Sequence, residues 1–330
     1  MDYYFINREE WDKKVESLME SHDIFAPMVN EFSQDYELLT PELVSAIAWN
    51  KPKPATPLKI FFLPVKEDVT SPGRKERSRI IMGVPACDVE ALGILDEIYL
   101  DESFEDIFYR HRRENTLIIS SDCFDILEHC HCTSYGVKPW AESIADIAVA
   151  VNKDLMVLRV LSQKGMSFVT GTINASKVTG REMISFIDDR HREIENLLAR
   201  TNKDLPGYSE TGKLVNNADT GVWVKHSSTC VSCGACTTIC PTCTCFLLID
   251  KPGFHKVKQM DACQYPGFEK TAGGEDPLKK LHERFRNRYM CKYVWKPEKF
   301  RHLACTGCGR CIEACIGKID KNKLFIELAK

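Results

Sequence analysis

Sixteen cysteines punctuate this chain of 330 residues, and their positions constrain its fold more than any other feature. Twelve lie between Cys230 and Cys315, and the other four are Cys87, Cys123, Cys130 and Cys132. The opening residues lack the basic and apolar regions of a secretory signal, so a reducing, cytoplasmic compartment is the expectation. Structural disulfides do not explain such a count there. Metal or redox chemistry remains, at two separate groups of sites.

One spacing occurs twice. Cys230-Val-Ser-Cys233-Gly-Ala-Cys236-Thr-Thr-Ile-Cys240-Pro241 reads C-x2-C-x2-C-x3-C-P, and Cys305-Thr-Gly-Cys308-Gly-Arg-Cys311-Ile-Glu-Ala-Cys315 repeats it, with Ile316 in place of the proline. Three thiolates spaced in this way wrap three corners of a [4Fe–4S] cube, and the fourth is directed to the neighbouring cluster. The expected sets are Cys230, Cys233, Cys236 with Cys315, and Cys305, Cys308, Cys311 with Cys240. Gly234, Ala235, Gly307 and Gly309 let backbone approach the inorganic sulfides closely. A pair of structural zinc sites is the competing reading.

Cys87 stands where an apolar strand gives way to a helix, whose N-terminus favours a thiolate. Cys123, Cys130 and Cys132 follow the next strand. Strand ends of an open α/β sheet converge on one edge, so a third [4Fe–4S] cluster on Cys87, Cys123, Cys130 and Cys132 is expected; buried inert cysteines, zinc or a redox dithiol are the alternatives. His129 and His131 read as surface or core histidines rather than ligands. Cys243, Cys245, Cys263 and Cys291 would complete a fourth set of four, with packing cysteines as the plain alternative.

Length implies two domains. Amphipathic helices are expected after Asn7 (Trp11, Val15, Leu18, Met19) and over Pro41–Trp49, capped by Thr40. Strands are expected at Leu58–Leu63, Arg79–Val84, Thr116–Ser121, Asp146–Val151, Met156–Val160 and Met166–Thr170, with a helix over Asp88–Tyr99 and a closing helix over Arg181–Arg200 (Met183, Ile187, Ile194, Leu198 on its apolar face). The expectation is an α/β domain over 1–200, a linker over 201–228, and a mainly helical dicluster [4Fe–4S] ferredoxin domain over 229–330. About 65 residues separate Cys240 from Cys305, and Pro277–Tyr293 is expected to be helical within them.

A net charge of −3 argues against nucleic acid as the main partner, and no apolar run is long enough to span a membrane. Charge is uneven: Asp2–Glu42 holds eleven acids and three bases, and Lys270–His302 ten bases and four acids. Each run reads as a solvated helix face or a protein-docking surface. Neither a dinucleotide fingerprint nor a Walker A sequence occurs, so no nucleotide or flavin site is visible. An electron-transfer subunit is the simplest reading. A stand-alone reductase acting at an open iron of an N-terminal cluster, and a redox or iron sensor, are the alternatives.

The chain resembles the iron–sulfur β-subunit family of cytosolic [NiFe] hydrogenases of the sulfhydrogenase type, which includes the corresponding iron–sulfur component of anaerobic sulfite reductase. The resemblance is carried by Gly83-Val-Pro-Ala-Cys87-Asp, Tyr109–Glu114 with Arg112-Arg113, Cys123 through Cys130-His-Cys132-Thr-Ser, Cys240-Pro-Thr-Cys-Thr-Cys-Phe, Asp261-Ala-Cys263 and Cys305-Thr-Gly-Cys-Gly-Arg-Cys. It implies a subunit relaying electrons between a flavin-bearing, NAD(P)H-linked subunit and a catalytic subunit such as a hydrogenase or sulfite reductase.

Overall fold

The computed structural model describes residues 2–70, 77–180 and 182–330. Strand β1 (Tyr3–Asn7) leads into helix α1 (Arg8–Leu18), whose start is fixed by the Asn7 side-chain oxygen accepting from the Glu9 N–H at 2.9 Å. Trp11 and Val15, one turn apart, are wholly buried. The N-terminal half continues through β2 (His22–Val29), β3 (Gln34–Leu38), β4 (Lys66–Asp68), β5 (Ser78–Pro85), α2 (Ala86–Tyr99), α3 (Ile107–Glu114), β6 (Thr116–Ser121), β7 (Ile147–Asn152), β8 (Leu155–Val160), α4 (Gln163–Ser167) and β9 (Ser176–Lys177).

All of these strands except β4 form one sheet in the order β3-β2-β5-β6-β7-β8-β1-β9. Its centre, β2, β5, β6 and β7, is parallel, and the flanking pairs are antiparallel. Alternation along β5 sends Ile80 and Met82 to the face covered by Trp11 and Ile81 to the face covered by Val89 and Leu92 of α2, and a register shift between Ile81 and Val84 brings Val84 to that second face as well. Both faces are therefore covered, and the ends of the parallel strands β5 and β6 deliver Cys87 and Cys123 to the same edge.

Three expected elements differ. Leu58–Leu63 is not a strand: Leu58–Phe61 forms a 3₁₀ turn after Pro57, anchored by the Leu58 N–H donating to Asp88 Oδ2 at 3.2 Å. Met166–Thr170 is helical, because Ser162 caps α4 by accepting from the Gly165 N–H at 3.0 Å and a π-helical run, Phe168–Ile173, follows. Pro41–Ala46 is a 3₁₀ turn with proline in its first turn, and the Thr40 side chain makes no cap bond.

Helix α5 (Glu182–Thr201) buries Ile187, Ile194 and Leu198; Arg181 and the side chain of Met183 lie outside the described residues. Residues 201–228, read as a linker, instead form α6 (Tyr208–Asn217) and α7 (Thr220–Ser227). Their apolar anchors Leu205, Val215 and Trp223 are too widely spaced to register as a period. They pack into one core with Phe285, Tyr289, Tyr293 and Phe325 from the cysteine-rich half.

That half contains α8 (Ala235–Thr238), a hairpin of β10 (Phe246–Lys251) and β11 (His255–Met260), α9 (Leu281–Met290) continued by a π-helical turn Cys291–Trp295, α10 (Lys296–Lys299), α11 (Arg310–Glu313) and α12 (Lys321–Leu328). The hairpin was not among the expected elements. Strand β11 pairs with β4, Val257 opposite Asp68, so a second sheet ties the two halves together. Among the described residues no helix is long and apolar enough to cross a membrane.

Candidate metal centres

The two cysteine loops share one backbone path. Ser232 and Gly307, each just before the second cysteine of its loop, have φ of 55° and 70°; Gly234 and Gly309, just after it, have 74° and 78°. Each left-handed turn feeds a four-residue helix, α8 or α11. The loop backbone thereby curls round a cavity, with its cysteines facing inward.

Four cavities take up all sixteen cysteines. The first, about 510 Å³, is lined by Cys230, Cys233, Cys236, Cys311 and Cys315. The second, about 340 Å³, is lined by Cys240, Cys305, Cys308 and Cys311. Cys87, Cys123, Cys130 and Cys132 line a third of about 380 Å³ together with Cys308. Cys243, Cys245, Cys263 and Cys291 line the fourth and roomiest, about 1010 Å³. Among the described residues no three His, Cys, Asp or Glu converge tightly enough to hold a single metal ion. Each cavity offers at least four cysteine thiols, the donor set of a [4Fe–4S] cluster. His129 and His131 line none of the four cavities. His131 is buried, hydrogen-bonded to Lys321 Nζ at 2.9 Å and to the His129 carbonyl at 2.7 Å.

The second loop is clamped to the N-terminal half. The His131 N–H donates to the Gly307 carbonyl at 2.9 Å. Lys53 Nζ bonds Glu313 Oε1 at 2.7 Å and lies 4.0 Å from Cys130 Sγ. Between Cys308 and Cys311, Arg310 forms a two-pronged pair with Asp88, the neighbour of Cys87, at 2.5 and 2.8 Å. Contact is so close that a Cβ on Gly307 would lie 2.6 Å from the Cys132 Cα and the His131 carbonyl oxygen. Gly307→Ala is therefore expected to cost about 2–4 kcal/mol, combining overpacking with a left-handed φ. Chemical denaturation reads the loss, and a cost below about 0.5 kcal/mol would contradict this packing.

Burial shapes the thiols. It pushes Cys87 and Cys123 well above the ordinary thiol range, Cys132 and Cys308 up to about 12, and Cys236 up to about 11. In the cluster-free chain these groups hold their protons more tightly folded than unfolded. Their contribution to stability is full below the unfolded thiol pKa of about 8.5 and is lost as pH rises toward the folded values. Loss of stability of the cluster-free chain above about pH 8.5, followed by denaturant midpoint against pH, is the expected result; a midpoint rising with pH there would contradict it.

The walls carry positive charge that the cysteine spacing does not reveal. Lys292 Nζ donates to Cys240 Sγ at 3.1 Å, Thr242 Oγ1 at 2.9 Å and the Ala304 carbonyl at 3.0 Å. Burial alone would lower its pKa; the thiol groups of Cys240 and Cys243 more than reverse that, leaving it well above the ordinary lysine value. Buried Lys59 donates to the Cys243 carbonyl at 3.1 Å. Backbone N–H groups of Leu127, Ser232 and Ile319 point at the sulfurs of Cys130, Cys230 and Cys315 at 3.3–3.5 Å. The Lys270–His302 run is thus not a uniform solvated or docking face, because Arg284, Arg288 and Lys292 within it are buried. The signal available in sequence was their spacing of four, which places them on one helix face.

Residues 229–319 match the family model of the 4Fe-4S dicluster domain. The whole chain is similar to Sulfhydrogenase 2 subunit beta of Pyrococcus furiosus, 27% identical over 341 aligned residues that cover 99% of this chain and 98% of that relative.

Proposed function

From the premise that this chain is one of the iron–sulfur β-subunits, we propose that it is an electron-transfer subunit of a multisubunit oxidoreductase, carrying a [4Fe–4S] cluster at each of the four cysteine cavities and relaying electrons between a flavin- and NAD(P)H-linked subunit and a catalytic subunit of hydrogenase or sulfite-reductase type. The observation that carries this reading is the contiguity of the cavities. Cys308 borders both the third and the second, Cys311 both the second and the first, and Lys292 both the second and the fourth. Each cluster, when bound, supplies one reversible low-potential electron.

The chain's own residues hold, screen and seclude. Cys230, Cys233, Cys236 and Cys315 form one donor set, Cys305, Cys308, Cys311 and Cys240 the next, Cys87, Cys123, Cys130 and Cys132 the third, and Cys243, Cys245, Cys263 and Cys291 the fourth. Lys292, Lys59 and Lys53 offset the negative charge of the thiolates. The N–H groups aimed at sulfur raise potential by stabilising added charge. The Arg310–Asp88 pair keeps the N-terminal set in register with the second loop.

Anaerobic titration of the purified chain with dithionite tests this. Reversible uptake of about four electrons per chain, one for each centre, together with no turnover of sulfite or of protons to hydrogen by the isolated chain, is the expected result. Turnover by the chain alone would make it a stand-alone reductase instead.

A further inference from the structure

Helix α9 and the turn after it place Arg284, Arg288 and Lys292 four residues apart and therefore on one face. Long cationic side chains belong at surfaces, yet these are only 6%, 4% and 3% exposed. Among the described residues no carboxylate pairs with any of them. Arg284 is held by the carbonyls of Leu278 and Lys279 at 3.0 and 2.8 Å. Arg288 donates one Nη2–H to the Cys236 carbonyl at 3.1 Å and stacks on Tyr289, while its buried Nε–H has no partner. Neutral carbonyls satisfy hydrogen bonds but leave a buried charge uncompensated, which is costly unless an anion lies nearby.

Arg288 differs from its neighbours in reach: it lines the first, second and fourth cysteine cavities. We infer that Arg288 is the shared positioning charge of these three centres, a single guanidinium at their common wall that stabilises an anionic thiolate-bound cluster in each. The inference rests on reading the cysteines as cluster ligands. A guanidinium suits the place because it is always charged, is weakly hydrated and presents five donors in a plane. Its attraction is greater for a reduced cluster, which bears one more negative charge, so it raises the potentials of all three centres together. The third cavity, which it does not line, feels its charge least.

The test is a redox titration of the full chain followed by electron paramagnetic resonance, with iron and sulfide assayed on the same samples, for wild type, Arg288→Gln and Arg288→Lys. With iron content unchanged, Arg288→Gln is expected to move the potentials of the first, second and fourth centres to more negative values and that of the third least, while Arg288→Lys stays close to wild type. Iron lost from more than one of these three centres in the Gln variant and kept by the Lys variant also supports a charge shared among them. Unmoved potentials at full iron content, a shift at one centre alone, or equal iron loss from both variants would overturn the inference. Absence of iron and sulfide from wild type would instead defeat the underlying reading of the cysteines.

Discussion

Asp88→Ala is expected to lower the stability of the chain by about 3–5 kcal/mol, the cost of stranding a buried cation. The carboxylate meets the Arg310 guanidinium through two bonds, with the side chains 0% and 1% exposed. Arg310 cannot shed its proton and cannot swing out, since its Nε–H is also bound by the carbonyls of Pro54 and Ala55 at 3.0 and 3.1 Å. Asp88 in addition accepts the Leu58 N–H, so the 3₁₀ turn at Leu58–Phe61 loosens with it. The double variant Asp88→Leu with Arg310→Met should recover much of the loss, because it removes both charges rather than one. Anaerobic denaturation measures all three chains. A single variant within about 1 kcal/mol of wild type would mean that this pair does not join the two halves.

The second large effect concerns ligand sets that cross between loops. Cys308→Ala and Cys240→Ala stand in different loops but border the same cavity, so both should lose the same cluster, about four irons and about four sulfides per chain. Cys315→Ala should instead resemble Cys233→Ala, its companion in the first cavity. In the first pair a buried Lys292 is left beside a vacated site, and a fall in stability should accompany the lost iron. If Cys240→Ala removed the resonance signal lost in Cys233→Ala, each loop would serve its own cluster and the crossed assignment would be wrong.

How much of this could be read beforehand follows from the range of each interaction. The cysteine loops are local: spacing and small residues dictate a turn, and the expectation that Cys315 serves the first loop and Cys240 the second comes from the repeat. Strands β5 to β8 were legible because continuous apolar runs mark a sheet covered on both faces. The hairpin at Phe246–Met260 was not, although Pro252-Gly253 between two strand-like runs was a usable signal; its partner β4 is remote in sequence. The segment 201–228 looked irregular because its caps and few apolar anchors make sense only against α9 and α12. Most hidden were Arg284, Arg288 and Lys292. A cation every fourth residue reads as a solvated face, and only the tertiary arrangement turns that face toward the cysteines. Asp88 and Arg310 each adjoin a cysteine, but their pairing joins the two halves and leaves no local trace.

Iron and acid-labile sulfide, measured anaerobically on the purified full-length chain, bear most directly on the electron-relay reading. Four filled cavities correspond to about sixteen irons and about sixteen sulfides per chain. About eight of each would confine the clusters to the repeated motif and leave the sets at Cys87 and Cys243 as packing residues. Zinc without sulfide would contradict electron transfer by this chain altogether.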